Sequence, residues 1–335
     1  MDVIGDGDWL PHSFDDTGQR ILCVRVPAPA REALPFLSTE QLATGYDQAI
    51  VPTALVATHL EGLASSPVHF LFHTAFCCST LAVNALDAFD GAVGLKEPAI
   101  FLDLVSKLER ADALTGTQLQ LVMRILGRPA VRARQVIVKP SCFTSALIPH
   151  VLQADPRTRV VLLHGDLRDF LLGVAKRGLR GRNWGRQVYA SSLRQLHYGF
   201  KYTAAETLEQ TDLQIAGLGW LVRRDYFERQ AASFGAARVL QISARQVLEE
   251  RAATLSAILR HLDMPQEPDA IERVINGPVF SRHSKEQRPF DAAARQAELD
   301  AARSTFGGEV EPVAQWIEKV AAFHNMGALS GLASD

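Results

Sequence analysis

A chain of 335 residues, 47% of them apolar, has enough nonpolar side chain for a sizeable core, which excludes global disorder. A formal charge of −2 excludes the broad basic face that non-specific nucleic-acid binding requires, so any anion site must be local. The four cysteines, Cys23, Cys77, Cys78 and Cys142, include no CxxC pair and predict reduced thiols in place of a disulfide framework.

The N-terminal stretch MDVIGDGDWLPHSFDD is acidic and has no apolar h-region, which predicts no signal peptide and a cytoplasmic location. Residues 1–62 read as a small N-terminal subdomain and 63–335 as the main domain. In the first, ILCVRVP (21–27) is apolar, β-branched and closed by proline, which predicts a strand. REALPFLSTEQLAT follows with helical spacing interrupted at Pro35, and Ser38 with Gln41 forms a candidate capping pair.

From Gly62 to Leu86 no Lys, Arg, Asp or Glu occurs, a span long enough for a bilayer. Pro67, His73, Asn84 and several hydroxyls are costly in lipid. A buried strand, VHFLFH, running into a helix, STLAVNALDAF, is the better reading, and no membrane partner is predicted. GAVGLKEPAIF predicts a short strand and a Lys-Glu-Pro turn, and ADALTGTQLQLVMRILG a helix stopped by Gly127 and Pro129. ARQVIVKPS and RVVLLHGD predict two further strands, followed by the helices SALIPHVLQA and LRDFLLGVAKRG. Residues 185–235 read as mostly helical with a loop near GLGW (217–220), and ARVLQIS (237–243) as a strand. ARQVLEERAATLSAILRHLDM predicts one long amphipathic helix, and NGPVFSRHSKEQRPFD a basic loop. The last helix, VEPVAQWIEKVAAFH, carries Val313, Trp316, Val320 and Phe323 and is expected to lie on the sheet as a lid.

Strands separated by helices of this length pair in parallel through right-handed crossovers. The predicted fold class is α/β, a three-layer parallel sheet covered by helices on both faces, beside the small N-terminal subdomain. Ligands of such sheets sit at the carboxyl ends of the strands. Those ends are polar here: His73-Thr74, Lys96-Glu97, Lys139-Pro140-Ser141 and His164-Gly165-Asp166.

HTAFCCST (73–80) stands between a strand and a helix, where successive backbone N–H groups and the helix dipole favour an anion. Ser79 and Thr80 either cap the helix or contact a phosphate oxygen. Adjacent Cys77 and Cys78 do not span a tetrahedral edge and have no further ligands in view, so they predict small loop residues and no metal. A nucleoside-triphosphatase loop needs Lys before its Ser/Thr, and that position is Ser79. Lys96 and Lys139 at strand ends are either solvated charges or anion contacts. His73, His164 and Glu97 are candidate bases, each histidine having a hydrogen-bonded core role as its alternative. Arg180, Arg182 and Arg186 beside Trp184 form either a solvated helix face or a site for an anion or aromatic base.

This layout resembles the sulfotransferase family, whose phosphosulfate loop reads Pro-Lys/Arg-Ser-Gly-Thr-Thr between a strand and a helix. Ala75-Phe76-Cys77-Cys78-Ser79-Thr80 occupies those places, with Phe76 for the cation and Cys78 for the glycine. VIVKPS is similar to the family's second strand, ending in Lys139. RVVLLHGDLRDFLLGV is similar to its Arg-Asp-Pro-x-Asp strand and helix: Asp166 and Asp169 match the acids, while Gly165 and Gly173 stand where the Arg and Ser that hold the donor's 3′-phosphate would be. A one-residue shift places His164 at the Arg position. ARVLQIS and its helix resemble the late strand and helix, and SRHSK (281–285) the basic loop over the nucleotide.

The resemblance, from Val68 to Lys285, implies a P-loop sulfotransferase-like fold and 3′-phosphoadenosine 5′-phosphosulfate as co-substrate, with a small-molecule acceptor and no nucleic acid. It implies Lys139, His73 and Thr80 as catalytic residues. Donor contacts are implied at Thr74, Ala75, Phe76, Cys77, Cys78, Ser79, Thr80, His164, Asp166, Arg282 and Lys285, and acceptor contacts at Lys96, Glu97, Arg182 and Trp184. Two alternatives stand beside it: a sulfotransferase-fold binding or scaffold protein that has lost transfer chemistry, and an ATP-dependent phosphoryl-transfer enzyme. Oligomeric state is left open.

Overall fold

The computed structural model describes residues 2–111, 115–129, 135–196, 200, 202–282 and 292–326. The N-terminal part forms an antiparallel sheet of β1 (Trp9–Phe14), β2 (Arg20–Arg25) and β3 (Gln48–Pro52), in that order. Three short helices belong to the same part: α1 (Ala28–Ala33), α2 (Thr39–Leu42) and α3 (Thr53–Leu60). Neither β1 nor β3 is legible in the sequence. β1 contains Pro11 and a register shift between Pro11 and Ser13, and its edge position tolerates both.

The main sheet is parallel throughout, in the order β5-β6-β4-β7-β8. Its strands are β4 (Val68–His73), β5 (Ala92–Lys96), β6 (Gln135–Lys139), β7 (Val160–His164) and β8 (Val239–Ser243). The helices that follow β4, β5 and β6 are α4 (Ser79–Asp87), then α5 (Ile100–Glu109) and α6 (Thr115–Leu126), then α7 (Ile148–Ala154). After β7 come α8 (Leu167–Ala175), α9 (Gly178–Leu196), α10 (Ala204–Glu209) and α11 (Asp212–Phe234). Four more close the chain: α12 (Ala244–Glu249), α13 (Arg251–His261), α14 (Pro268–Asn276) and α15 (Ala292–Phe323). This is the α/β architecture expected.

Side-chain alternation divides the strands between two cores. Leu71, Ile137, Val161, Leu163 and Ile242 pack with α4, α13 and α14. Phe70, Phe72, Val136, Val138, Val160 and Leu162 pack with α5, α6 and α7, and the same core takes in Trp9, Ile21 and Val24 of the N-terminal sheet. Burial on both faces is why β4 reads as a continuous apolar run. Arg128, just past α6, is buried and donates to the carbonyls of Ile4, Asp6 and Trp9, which ties the N-terminal part down. Among the described residues no helix is long and apolar enough to cross a membrane.

Three helical expectations need correction. GLGW lies inside α11, where a Cβ at Gly219 would stand 3.0 Å from the Tyr189 backbone nitrogen, so the glycine serves close helix packing and makes no loop. The long helix after β8 is broken at Glu250, and the Thr254 hydroxyl bonds the Gln246 carbonyl near that break. The last helix packs against α8 and α11, not on the sheet. Its buried stripe is Val310, Val313, Ala314, Ile317 and Ala321, while Phe323 is 82% exposed.

Candidate functional site

The loop after β4, the central strand, carries the most unusual backbone near a strand end. Ala75, Phe76 and Cys78 have φ of +73°, +50° and +62°. Side chains in this left-handed region cost about 1 kcal/mol each, so the surrounding fold must impose the shape. The loop is anchored on both sides. The Thr74 hydroxyl accepts from the Gly165 N–H at 3.1 Å, and the Cys77 thiol, fully buried, lies 3.6 Å from the Leu163 carbonyl. Burial pushes the Cys77 thiol up to about 12, so it stays protonated and is a packing residue.

His73 fastens the loop from within. Its Nδ1 accepts the Ala75 N–H at 3.1 Å, which leaves the proton on Nε2 to donate to the Pro140 carbonyl at 3.2 Å. Both ring nitrogens serve the backbone, and the histidine joins the β4 and β6 ends. Cys78, the N-cap of α4, provides no side-chain cap, and no acidic residue occupies the first turn. The Ser79 N–H meets the Cys77 thiol, and the N–H groups after it receive no side-chain cap from Cys78 at the mouth of a left-handed loop. Cys78→Gly is expected to raise stability by about 0.5–1 kcal/mol in urea denaturation, because glycine adopts this backbone without a Cβ penalty.

The Phe76 side chain leaves the loop and lies against α8. A Cβ at Gly173 would stand 2.8 Å from two of its ring carbons, and one at Gly165 would stand 3.2 Å from Cys77 Cβ. Gly173 is therefore required by the Phe76 ring, and Gly165 sits in a tight contact with Cys77. The ring is 5.8 Å from Phe170 and 5.0 Å from Trp184, which in turn meets Phe143 edge-on at 6.1 Å. The Arg177 guanidinium stands 4.2 Å over the Phe76 ring, so a cation absent from the loop sequence reaches it through space. Arg177 follows Gly173 by four residues, and its Nη1 donates to the Gly173 carbonyl at 2.5 Å.

A second cluster lies at the ends of β5 and β6. Lys139 Nζ pairs with Glu97 Oε1 at 2.5 Å; the lysine side chain is 1% exposed and the glutamate 22%. Glu97 has φ +52°, and its N–H bonds the Lys139 carbonyl. The segment after α1 closes this cluster. Leu37 exchanges backbone hydrogen bonds with Lys96 and Ala99, Phe36 lies 5.4 Å from Lys139 Nζ, and Lys96 Nζ bonds the Glu32 carbonyl at 3.0 Å. Lys96 thus holds the N-terminal part in place instead of facing the loop. Phe36, Phe143 and Arg177 are neighbours of the site that sequence reading missed; they come from other segments and have no motif.

The remaining expected residues are dispersed. Asp166 caps α8 through the N–H groups of Arg168 and Asp169. Burial, with Arg224 adding to it, pushes His164 down to about 4, so it is neutral at ordinary pH. Arg182 forms a bidentate pair with Glu309 of α15, while Trp184 does join the aromatic cluster at Phe76. Arg282 is exposed beyond the turn Pro278–Phe280, and Lys285 lies outside the described residues. Among the described residues no cluster of His, Cys, Asp or Glu has the makings of a metal site.

His164 and His69 are both held down near 4 by burial, below the ordinary histidine value of 6.5. A depressed folded value stabilises the protein above about pH 6.5, and that stabilisation is lost as pH falls toward about 4. Urea unfolding is expected to weaken across this window by about 3 kcal/mol per histidine at most, with His164→Asn flattening part of the slope.

The strand order and the strand–loop–helix after β4 define an α/β chain with a phosphate-loop-like turn. No family model and no curated protein matches it. Among solved structures it is similar to the sulfotransferase domain from the curacin biosynthetic pathway, at 10% identity and a TM-score of 0.43 over 73% of this chain and 99% of that one. It is similar to the sulfotransferase domain of the Synechococcus PCC 7002 olefin synthase, at 13% identity and a TM-score of 0.42 over 78% and 96%. A sulfotransferase from Alicyclobacillus acidocaldarius matches at 14% identity and a TM-score of 0.41 over 75% and 97%.

Proposed function

We propose that this chain is a sulfotransferase-type protein whose 74–80 loop holds the 5′-phosphate end of a phosphosulfate nucleotide and which passes the sulfuryl group to a small-molecule acceptor. The observation that carries the reading is the left-handed loop leading into the uncapped start of α4 at the end of the central strand. The donor supplies an activated sulfuryl group. In this reading Lys139 stabilises the departing phosphate and the Glu97 carboxylate takes the acceptor's proton, a reading supported by their pairing at the strand ends. His73 holds the loop to the β6 end, and Thr80 stands at the helix start.

Gly165 and Gly173, at the two positions where the family holds the donor's 3′-phosphate, offer it no side chain and lie against Cys77 and Phe76. The expected result is that isothermal titration gives affinities within about threefold for 3′-phosphoadenosine 5′-phosphate and for AMP, which differs from it only in lacking the 3′-phosphate. A lost charged hydrogen bond would otherwise separate them by about tenfold or more. Binding of neither nucleotide would refute the reading. A second reading, a binding protein without transfer chemistry, is favoured by the burial of Lys139 under Phe36. Donor recovered intact after tight binding, across a panel of phenols and amines, would decide for it.

A further inference from the structure

Arg223, on α11, is 1% exposed, yet among the described residues no carboxylate pairs with it. Its neighbour Arg224 has Glu228 at 2.8 Å. Arg223 Nε donates to the Ser192 hydroxyl and Nη2 to the Ser191 hydroxyl, at 3.1 and 2.9 Å, while Nη1 has no hydrogen-bond partner. One turn earlier on the same helix, Trp220 is also 1% exposed, and its Nε1 is likewise without a partner. Two orphaned buried donors one turn apart are rare, and a guanidinium buried without a counter-charge is costlier still. The Cys142 thiol is a hydrogen-bond partner of the guanidinium, and burial pushes it up, away from the thiolate that would be a counter-charge. A water molecule would satisfy the donors and leave the charge uncompensated.

We infer that Arg223 and Trp220 form a buried receptor for one small negatively charged group, held between α11 and the turn Cys142–Leu147. The turn begins three residues after Lys139, so the receptor adjoins the β6 end. The half-buried Phe143 ring lies 5.4 Å from the Arg223 guanidinium and 6.1 Å from Trp184, and it forms the wall between the receptor and the aromatic cluster at the loop. The group is either a free monovalent anion or the carboxylate of an acidic ligand lying along that cluster. The inference does not rest on sulfuryl transfer.

The test uses the full chain in sodium gluconate, whose anion is too bulky for a closed receptor, with bromide, formate and benzoate as probes. Formate and bromide are expected to raise the thermal unfolding midpoint saturably, and a bromide-soaked crystal to show anomalous density beside Arg223 Nη1. Benzoate binding more tightly than formate identifies an acidic ligand as the source; formate binding as well or better identifies a free anion. The shift is expected to vanish in Arg223→Met and to need about tenfold more anion in Trp220→Phe. It should persist in Ser79→Ala, so that failure of the loop and failure of this receptor read separately. If Arg223→Met does not fold, Trp220→Phe and the bromide map decide. An unchanged midpoint in all three anions, a shift that survives in Trp220→Phe at unaltered affinity, a shift lost in Ser79→Ala, or a thiolate absorbance that disappears in Cys142→Ala would each overturn the inference. The last result would make Cys142 the internal counter-charge.

Discussion

Lys139→Met is expected to lower the proposed sulfuryl transfer by about 10²–10³-fold, the usual loss when one preorganised electrostatic group is removed from a transfer site. It should also cost about 2–3 kcal/mol of stability. Breaking a buried ion pair from one side costs roughly 3–5 kcal/mol, and the figure here falls below that range because Glu97 keeps 22% of its side chain in solvent. Adding Glu97→Gln should recover most of the stability and none of the transfer, since the orphaned carboxylate is removed and the missing cation is not restored. A Lys139→Met protein that transfers normally would reduce this pair to a structural bridge. Urea unfolding and a radiolabelled-donor assay on the same three proteins separate the two contributions.

Gly173→Ala is expected to lower the unfolding free energy by about 1–2 kcal/mol, and to cost little when made in a Phe76→Ala background, where the ring it would meet is absent. Overpacking a closed site by one methyl costs roughly 1–3 kcal/mol, and Gly→Ala inside a helix returns about 1 kcal/mol. The new Cβ would stand 2.8 Å from two ring carbons, and the ring has Phe170, Trp184 and Arg177 around it. Because Phe76 belongs to the left-handed loop, moving its ring also moves the backbone that faces the anion. Nucleotide affinity should therefore fall in Gly173→Ala although residue 173 contacts no phosphate in the proposed arrangement. A double-mutant cycle yielding a coupling under about 0.5 kcal/mol would mean that ring and helix do not compete for this space.

The three inner strands of the main sheet, β6, β4 and β7, were legible because each is short, apolar on both faces and bounded by a turn or a proline. The two edge strands of the N-terminal sheet were not: β1 contains Pro11, and β3 alternates exposed and half-buried positions too weakly to register. GLGW misled because glycine marks a loop and a close helix contact with the same letter; the backbone of α9 against Gly219 decides between them. Phe76, Gly165 and Gly173 read in the sequence as three separate departures. In space they are linked, the Phe76 ring requiring Gly173 and the neighbouring Cys77 lying close against Gly165.

What the sequence determined by itself is the α/β class, the strand–loop–helix after β4 and the polar residues at the strand ends, since all of these follow from local periodicity and punctuation. What only the tertiary structure decided is which of those polar groups are available. It placed Lys139 against Glu97 under Phe36, turned Lys96 toward α1, gave both His73 nitrogens to backbone groups and brought Arg177 over Phe76. The physical reason is that a charge's partner is chosen by whatever the fold brings within a few ångströms, often from a hundred residues away, and no local pattern carries that information.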